Sequence, residues 1–436
     1  MSAGAPPVKP QVKALNCPNC GAALVIRSFN TAVTIVCEGC HSILDAKDPN
    51  LQILQRFKVA TDEDKPLIPL GTRGKIRGVD YEAIGFERRT IHVDGIPYSW
   101  HEYVLFNPYK GFRYLTEYNG HWNDVSILKA LPEVLPYASP PKVKYLGETY
   151  RHFQTAKAGT TFVLGEFPWQ VRVGEAADVT DYVSPPRVIS SEMTGGEVTW
   201  SMGEYLAGKD VWKTFRLPGS PPEAIGVYEN QPSPLSAQTR NIWVAFAAFL
   251  LVLVVMMIGF DLAARNEQVF AGYYKYNSNQ GGEASFVTND FEVKGHTSNV
   301  EVTTSTDVNN RWIYLNYALI NEATGQAFDF GREVSYYHGY DSDGAWSEGK
   351  ANDSVAIPKV PPGRYYLRVE PEGDPGYGMT YYTVTVKRDV PQYSFYAIAL
   401  GALLLPAIFL TWRSLSFEHL RWAESDHPPI NLGGNE

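Results

Sequence analysis

The chain has 436 residues, room for two to four domains, and its make-up of 44% apolar, 19% charged and 13% aromatic residues excludes a disordered or collagen-like polypeptide. The 27 Tyr and 20 Phe suit pleated surfaces and favour packed, strand-rich domains. With 38 Lys and Arg against 47 Asp and Glu, the net charge of -9 repels polyphosphate, so nucleic acid is not an expected partner, and 4 Cys are too few for a disulfide scaffold.

All of the cysteines fall in the first forty residues. Cys17-Pro18-Asn19-Cys20-Gly21 is followed after sixteen residues by Cys37-Glu38-Gly39-Cys40, the spacing of a four-sulfur zinc site. Each pair needs a tight turn that aims backbone amides at sulfur, a role expected of Gly21 and Gly39. Between the pairs, Ala23-Leu24-Val25-Ile26 and Ala32-Val33-Thr34-Ile35-Val36 read as two strands around the turn Phe29-Asn30-Thr31, so a zinc ribbon is expected over 14–46. Cys17, Cys20, Cys37 and Cys40 fill every position around the metal, which makes the zinc structural. Arg27 and Glu38 are the only charges between Cys17 and Cys40, so the ribbon has no basic face; folding or protein contact is a better role for it than nucleic-acid binding.

From 60 to 220 short β patterns alternate with Gly and Pro, among them Gly74-Lys75-Ile76-Arg77-Gly78, Thr90-Ile91-His92-Val93 and Trp100 to Phe106. No twelve-residue stretch has clean helical periodicity, and a β-rich, barrel-like body is expected. Two echoes, Ile84-Gly85-Phe86-Glu87 with Leu164-Gly165-Glu166-Phe167 and Trp100 to Leu105 with Trp200 to Leu206, suggest two subdomains, 60–140 and 141–220. His101-Glu102 and His121 with Asp124 are the acid-base candidates. Adjacent strand residues face opposite ways, which separates His101 from Glu102, and Glu102 and Glu204 are better suited to tying down a turn or a strand end. No phosphate-loop, zinc-protease, nucleophile-elbow or dinucleotide motif is present.

The string Gly71-Thr72-Arg73-Gly74-Lys75-Ile76-Arg77-Gly78, with Tyr81, Ile84-Gly85-Phe86, Tyr98-Ser99-Trp100, Glu102-Tyr103, Leu105-Phe106-Asn107-Pro108-Tyr109 and Gly111-Phe112-Arg113, resembles the bacterial domain-of-unknown-function 4178 family. Gly165-Glu166-Phe167-Pro168-Trp169, Pro185-Pro186 and Trp200-Ser201 extend the resemblance to about residue 210. The family brings no established chemistry or site residues. The resemblance implies a ribbon and membrane spans beside the domain, and a setting in envelope or membrane-stress physiology near phage-shock-type membrane proteins.

The Pro-rich stretch from Leu217 to Ser236 leads into a linker, 221–241, expected to be an extended tether. Ile242 to Phe260 is an uncharged, mostly apolar run closed by Arg240 and Asp261, and Tyr393 to Trp412 is a second, ending at Arg413. At about 1.5 Å per residue each reaches across a hydrocarbon core of about 30 Å, and Trp243, Tyr393, Tyr396 and Trp412 stand where interfacial aromatics sit. Pro406 is expected to kink the second span. Two spans, 242–260 and 393–412, put both termini on one side and 261–392 on the other. Flanking basic residues do not decide which side is which. Thiols intended for a metal survive best in a reducing cytosol, and no apolar leader precedes them. Both ends, with the tail 413–436, are therefore expected in the cytoplasm of a bacterial inner membrane, and the loop outside. That loop carries -7 of the total -9.

Within the loop, Arg311 to Leu319, Arg364 to Val369 and Tyr381 to Val386 alternate as strands, and turn signals such as Asn309-Asn310 and Pro361-Pro362-Gly363 suggest a β-sandwich. Asp341-Ser342-Asp343-Gly344 with Glu348 offers hard oxygens to calcium, although an Asp-Gly turn accounts for it better. Tyr336, Tyr337, Tyr340 and Trp346 are candidates for contact with a sugar or a partner, although core or packing use accounts for them better. The expected protein is a two-pass scaffold or sensor in a lipid bilayer, acting through protein contacts. The alternative is a membrane-anchored enzyme using Glu102, Glu204 or His101 in the cytosolic body, and ribbon-mediated nucleic-acid binding stands third.

Overall fold

A computed structural model describes residues 13–28, 30–57, 65–135, 137–279, 284–376 and 378–429. Two units result, one formed by the chain before Asn241 and from Phe409 onward, the other by Asn241–Ile408.

The first unit starts with short strands around the cysteines: β1 (Lys13–Asn16), β2 (Ala23–Ile26), β3 (Thr34–Val36), β4 (Ser42–Asp45) and β5 (Ile53–Arg56). The body follows with β6 (Arg73–Ile76), β7 (Val79–Val93), β8 (Ile96–Asn107), β9 (Gly111–Tyr118), β10 (His121–Ile127), β11 (Glu133–Leu135), β12 (Lys142–Tyr145), β13 (Glu148–Phe167), β14 (Ala176–Ser184), β15 (Arg187–Thr194) and β16 (Glu197–Leu206). Strands β7 to β10 form one antiparallel meander and β13 to β16 another. Pairing of β13 with β7 and of β10 with β16 closes them into an eight-stranded barrel. The stretches 60–140 and 141–220 therefore each give four strands to one ring, and neither encloses a core by itself.

The seam between β7 and β13 is a close approach of two backbones. Gly85 stands opposite Gly165. A Cβ on Gly165, whose φ is +84°, would lie 2.2 Å from the Ile84 carbonyl oxygen, and one on Gly85 would lie 2.4 Å from that of Glu166. Only glycine fits at such a crossing. The first sequence echo falls on this seam, at the first strand of each meander. The second places Trp100 to Leu105 on β8 but Trp200 to Leu206 on β16, strands of different rank in the two halves.

Outside the barrel, the amphipathic helix α1 (Gly208–Phe215) buries Val211, Trp212 and Phe215 against Phe86, Tyr103 and Trp122. Two long helices follow, α2 (Ser236–Ala263) and, near the end of the chain, α3 (Ser394–Ala423). Both are long and apolar enough to cross a membrane, and almost none of their most apolar stretches is buried against the rest of the chain. The expected span 242–260 lies inside α2, and 393–412 lies inside α3 except for Tyr393, which precedes it. Helix α3 carries Pro406 and continues well past Trp412, so the segment after the second apolar run is helical to Ala423.

The second unit holds β17 (Glu267–Asn277), β18 (Phe286–Val287), β19 (Phe291–Val293), β20 (Ser298–Thr306), β21 (Arg311–Asn321), β22 (Ala327–Asp341), β23 (Gly344–Gly349), β24 (Asn352–Val360), β25 (Gly363–Gly373) and β26 (Met379–Arg388). One antiparallel sheet runs β17-β26-β20-β24, and the other runs β18-β25-β21-β22-β23 with β19 also on β25. Val300, Val302, Val384 and Val386 of the first sheet share a core with Ile313, Leu315, Leu319 and Leu367 of the second. Two antiparallel sheets facing each other across one apolar layer is the arrangement that the alternation in this segment predicts.

Candidate metal centre and barrel lumen

The four cysteine sulfurs lie within 4.8 Å of one another, with Cys17 to Cys40 and Cys20 to Cys37 each 3.7 Å apart. A tetrahedral ion with metal–sulfur bonds of about 2.3 Å has edges of about 3.8 Å, so the set matches one shared ion; a disulfide would need about 2.05 Å. Two hydrogen-bonded turns hold the sulfurs in place. Gly21 N–H donates to Cys17 O and Cys17 N–H to Ala22 O, while His41 N–H donates to Cys37 O and Cys37 N–H to Ser42 O.

In the first turn the left-handed position is Gly21, at φ +77°, as expected. In the second it is His41, at φ +54°, and not Gly39. Gly39 is not needed for room either, since a Cβ there would sit in ordinary contact, 3.4 Å from Ala22 Cβ and 3.8 Å from Cys20 Sγ. The strands expected to pair across Phe29-Asn30-Thr31 do not pair with each other. Strand β2 pairs with β1, whereas β3 pairs with β4 and with barrel strand β13; Phe29 lies outside the described residues. Glu166 completes the attachment of ribbon to barrel. Its buried carboxylate accepts the N–H groups of Arg27 (2.7 Å) and Ser28 (2.8 Å) and the Ser28 hydroxyl (2.6 Å).

The barrel lumen is charged at one end. Arg89 on β7 reaches Glu192 on β15, across the ring, at 3.0 Å, so both side chains point inward. Glu102 accepts the Trp100 indole N–H at 2.7 Å, Ser190 donates to Asp181, and the Thr160 hydroxyl donates to Glu87 at 3.4 Å. Burial, reinforced by Glu102, pushes the Glu87 carboxyl up to about 8, and burial pushes Asp181 up to about 6.

The segment before α2 and the end of α3 both pack on the barrel. Asn230, fully buried, donates to Asn123 Oδ1 (2.8 Å) and to Pro186 O (3.0 Å), and Tyr228 stacks on His121 at 5.3 Å. Trp422 of α3 meets Phe153 at 5.6 Å under the guanidinium of Arg151, and Asp426 accepts Thr155 N–H at 2.8 Å. Arg421 joins the two segments. Only 1% exposed, it donates to the carbonyls of Tyr228 (3.1 Å), Glu229 (2.7 Å) and Gln231 (2.5 Å). The linker 221–241 is thus seated on the barrel over this stretch.

Residues 69–208 match the family described as Domain of unknown function (DUF4178). This part of the chain belongs to that family. The family domain spans the closed ring and its charged lumen, and ends before Tyr228, Asn230 and Arg421. No curated protein matches the chain. Among solved structures, the VP2 subviral particle of infectious bursal disease virus aligns at 12% identity and a TM-score of 0.13 over 34% of this chain and 53% of that one. The chain therefore spans about half the length of that protein. The Gt strain of the same virus aligns at 12% identity and a TM-score of 0.19 over 74% and 78%. Scores this low carry no argument for fold or function.

The acid-base candidates of the family domain do not assemble. His101 sits on the outer side of β8 with Glu117 at 2.8 Å, while Glu102 points into the lumen. His121 bonds Tyr205 OH (2.9 Å) and Ile225 O (3.1 Å), and burial lowers its pKa. Asp124, on the other side of β10, binds Arg77 and Arg113. Glu204 also holds Arg77, at 2.5 Å, in the turn between β6 and β7, the tying role expected of it. Glu87, Arg89, Asp181 and Glu192 carry no sequence signal of this kind, because charges alternating along a strand read as a solvated face.

In the second unit, Asp341 to Gly344 form the turn joining β22 and β23. Asp341 Oδ1 accepts Asp343 N–H at 2.9 Å, and among the described residues the cysteines alone form a metal-capable group. Tyr340 and Trp346 are exposed, whereas Tyr336 packs on the core.

Proposed function

We propose that this protein is a two-pass scaffold or sensor of a bacterial inner membrane, with α2 and α3 crossing the bilayer, both termini cytoplasmic, 261–392 outside, and a structural zinc held by Cys17, Cys20, Cys37 and Cys40. The observation that carries the reading is Arg421. A buried guanidinium at the end of one apolar helix grips three carbonyls of the segment entering the other, and Trp422 and Asn230 anchor both to the barrel. A change in either span therefore reaches the barrel without any further part. The thiolate-only donor set favours zinc, with no position left for water, so the metal folds the ribbon and does no chemistry. Partners would be membrane proteins, those of phage-shock type included.

The test is crosslinking of the full chain in intact cells, with and without Arg421→Met. The reading expects equal amounts of membrane-bound protein and a changed partner set. An unchanged set, or a chain that leaves the membrane in carbonate without detergent, would overturn it. A second reading, an enzyme working in the lumen, draws support from Glu87, since a carboxyl still protonated at neutral pH can serve as a general acid.

A further inference from the structure

Arg388 ends strand β26, at the next alternate position after Tyr382, Val384 and Val386, all of which point into the core of the two-sheet unit. Its relative exposure is 0%, and Nε, Nη1 and Nη2 have no hydrogen-bond partner among the described residues. Arginine does not shed its proton in a protein, and a buried, unpaired guanidinium is strongly unfavourable. The adjacent carboxylate is committed elsewhere, because Asp389 accepts Arg265 N–H at 3.0 Å and faces His296 at 3.9 Å. Glu267 is the residue opposite Arg388 on β17, yet its side chain is exposed.

What covers the guanidinium is thin. The connection from β19 to β20, Lys294 to Thr297, is exposed at all four residues, and Gly295 among them has φ +86°. A Cβ there would lie 3.0 Å from Arg388 Nη2, so the bare backbone of this connection lies against the cation. Displacing this short connection would open Arg388; within it Lys294 faces Glu292 at 3.5 Å and His296 faces Asp389 at 3.9 Å. Arg388 also precedes the start of α3 at Ser394 by six residues, and its strand partner Glu267 follows the end of α2 at Ala263 by four.

We infer that Arg388, beneath the Lys294–Thr297 connection, is an oxyanion site that takes the phosphate of a phospholipid headgroup where the two helices join the two-sheet unit. The lipid source rests on the membrane reading above; the oxyanion chemistry rests on Arg388 alone. A guanidinium fork matches two phosphate oxygens, and a lipid phosphate is held at the height where these chain ends meet the bilayer surface.

The experiment uses the full chain, delipidated in detergent, then placed either in phosphatidylglycerol nanodiscs or in millimolar inorganic phosphate, with amide exchange read along β26 and β20. Nanodiscs are expected to slow exchange there at least tenfold. Arg388→Met should abolish that gain and, by removing the unpaired charge, slow exchange in the lipid-free protein. Gly295→Asn, which tolerates the left-handed backbone and whose side chain meets Nη2, should cut the gain with the arginine intact, which covers the case of an Arg388 variant that does not fold. An equal gain from inorganic phosphate would keep the oxyanion site and overturn the headgroup as its source. Faster exchange of Arg388→Met both with and without lipid, reproduced by Glu267→Gln, would assign an internal ion pair and overturn the site. A chain that needs no detergent would sink the membrane reading while leaving the phosphate arm readable.

Discussion

The barrel and the two-sheet unit use the same strand chemistry to opposite ends. In the two-sheet unit the interior is spent on apolar burial: Val300, Ile313, Leu315, Leu319, Val360, Leu367, Val384 and Val386 are each 0% exposed, and each contributes about 1.5–3 kcal/mol. In the barrel one end of the interior is given to Glu87, Arg89, Glu102, Asp181 and Glu192, and much apolar packing moves to the outside, where α1 covers Phe86, Tyr103 and Trp122. A fold with a charged lumen depends on a few joints: the glycine seam, the ribbon on β13 and the clamp at Arg421. The two-sheet unit spreads its stability over many residues, so single changes should separate the two.

The largest separation should come from Gly165→Val. The new Cβ would stand 2.2 Å from the Ile84 carbonyl oxygen on a backbone at φ +84°, which a β-branched residue does not adopt. A loss of more than about 4 kcal/mol is expected in the barrel. Amide exchange should collapse along β7 and β13 and stay slow along β21 and β25. Protection retained at Phe86 and Leu164 would show that the seam is not what closes the ring. Next in size is metal removal. A strong chelator, or Cys37→Ser, should unfold the ribbon, since coordination supplies its folding energy, and the loss should spread through β3 to residues 165–167 of β13. Ribbon amides untouched by chelation would mean that the cysteines fold without a metal.

The parts of this architecture legible in the sequence are those with local periodicity: the paired cysteines, the two apolar runs, the strand alternation and the Asp-Gly turn. Hidden from view are the parts made by distant pairing. Gly85 and Gly165 are visible as an echo, yet nothing local says that the two strands lie side by side and close a ring. Polarity also misleads on β7. Phe86 faces outward beneath α1, whereas Glu87 and Arg89 face inward, so the rule of apolar inside is inverted on this strand. The contact of Arg421 with Tyr228, Glu229 and Gln231 spans most of the second half of the chain, and a lone arginine after an apolar helix reads as an interfacial anchor. Gly39 attracts the backbone task that His41 performs, because a residue with a side chain is a rare occupant of the left-handed region.

A smaller, more local effect is expected from Arg421→Met, which keeps the bulk and removes the donors. Three carbonyls lose their partner, and about 3 kcal/mol should go from the contact between the linker and α3. The readouts are faster exchange at residues 225–231 and a red-shifted Trp422, with the ring strands and the two-sheet unit unmoved. If exchange at 225–231 stays slow, Asn230 and Tyr228 hold the linker without the arginine.

The last change expected is a gain. Glu87 titrates at about 8 in the folded barrel against an ordinary 4.5, so between those values the folded state keeps a proton that the unfolded chain has released. The barrel must therefore lose stability as pH rises from about 4.5 to about 8 and level off above, and Asp181 adds a smaller fall over the narrower window from about 4 to about 6. Glu87→Gln keeps the shape, cannot ionise in either state and should remove most of that slope. Each tenfold difference in proton affinity between the folded and unfolded chain is worth about 1.4 kcal/mol, so the variant should be the more stable by up to about 4 kcal/mol at pH 8 and equal to the parent near pH 4. Urea midpoints of the barrel against pH measure this, with the two-sheet unit of the same molecule as the internal reference. Parallel curves for parent and variant would mean that Glu87 is ionised throughout and paired with Arg89, and the lumen would then be an ion-pair core in place of a reservoir for a proton.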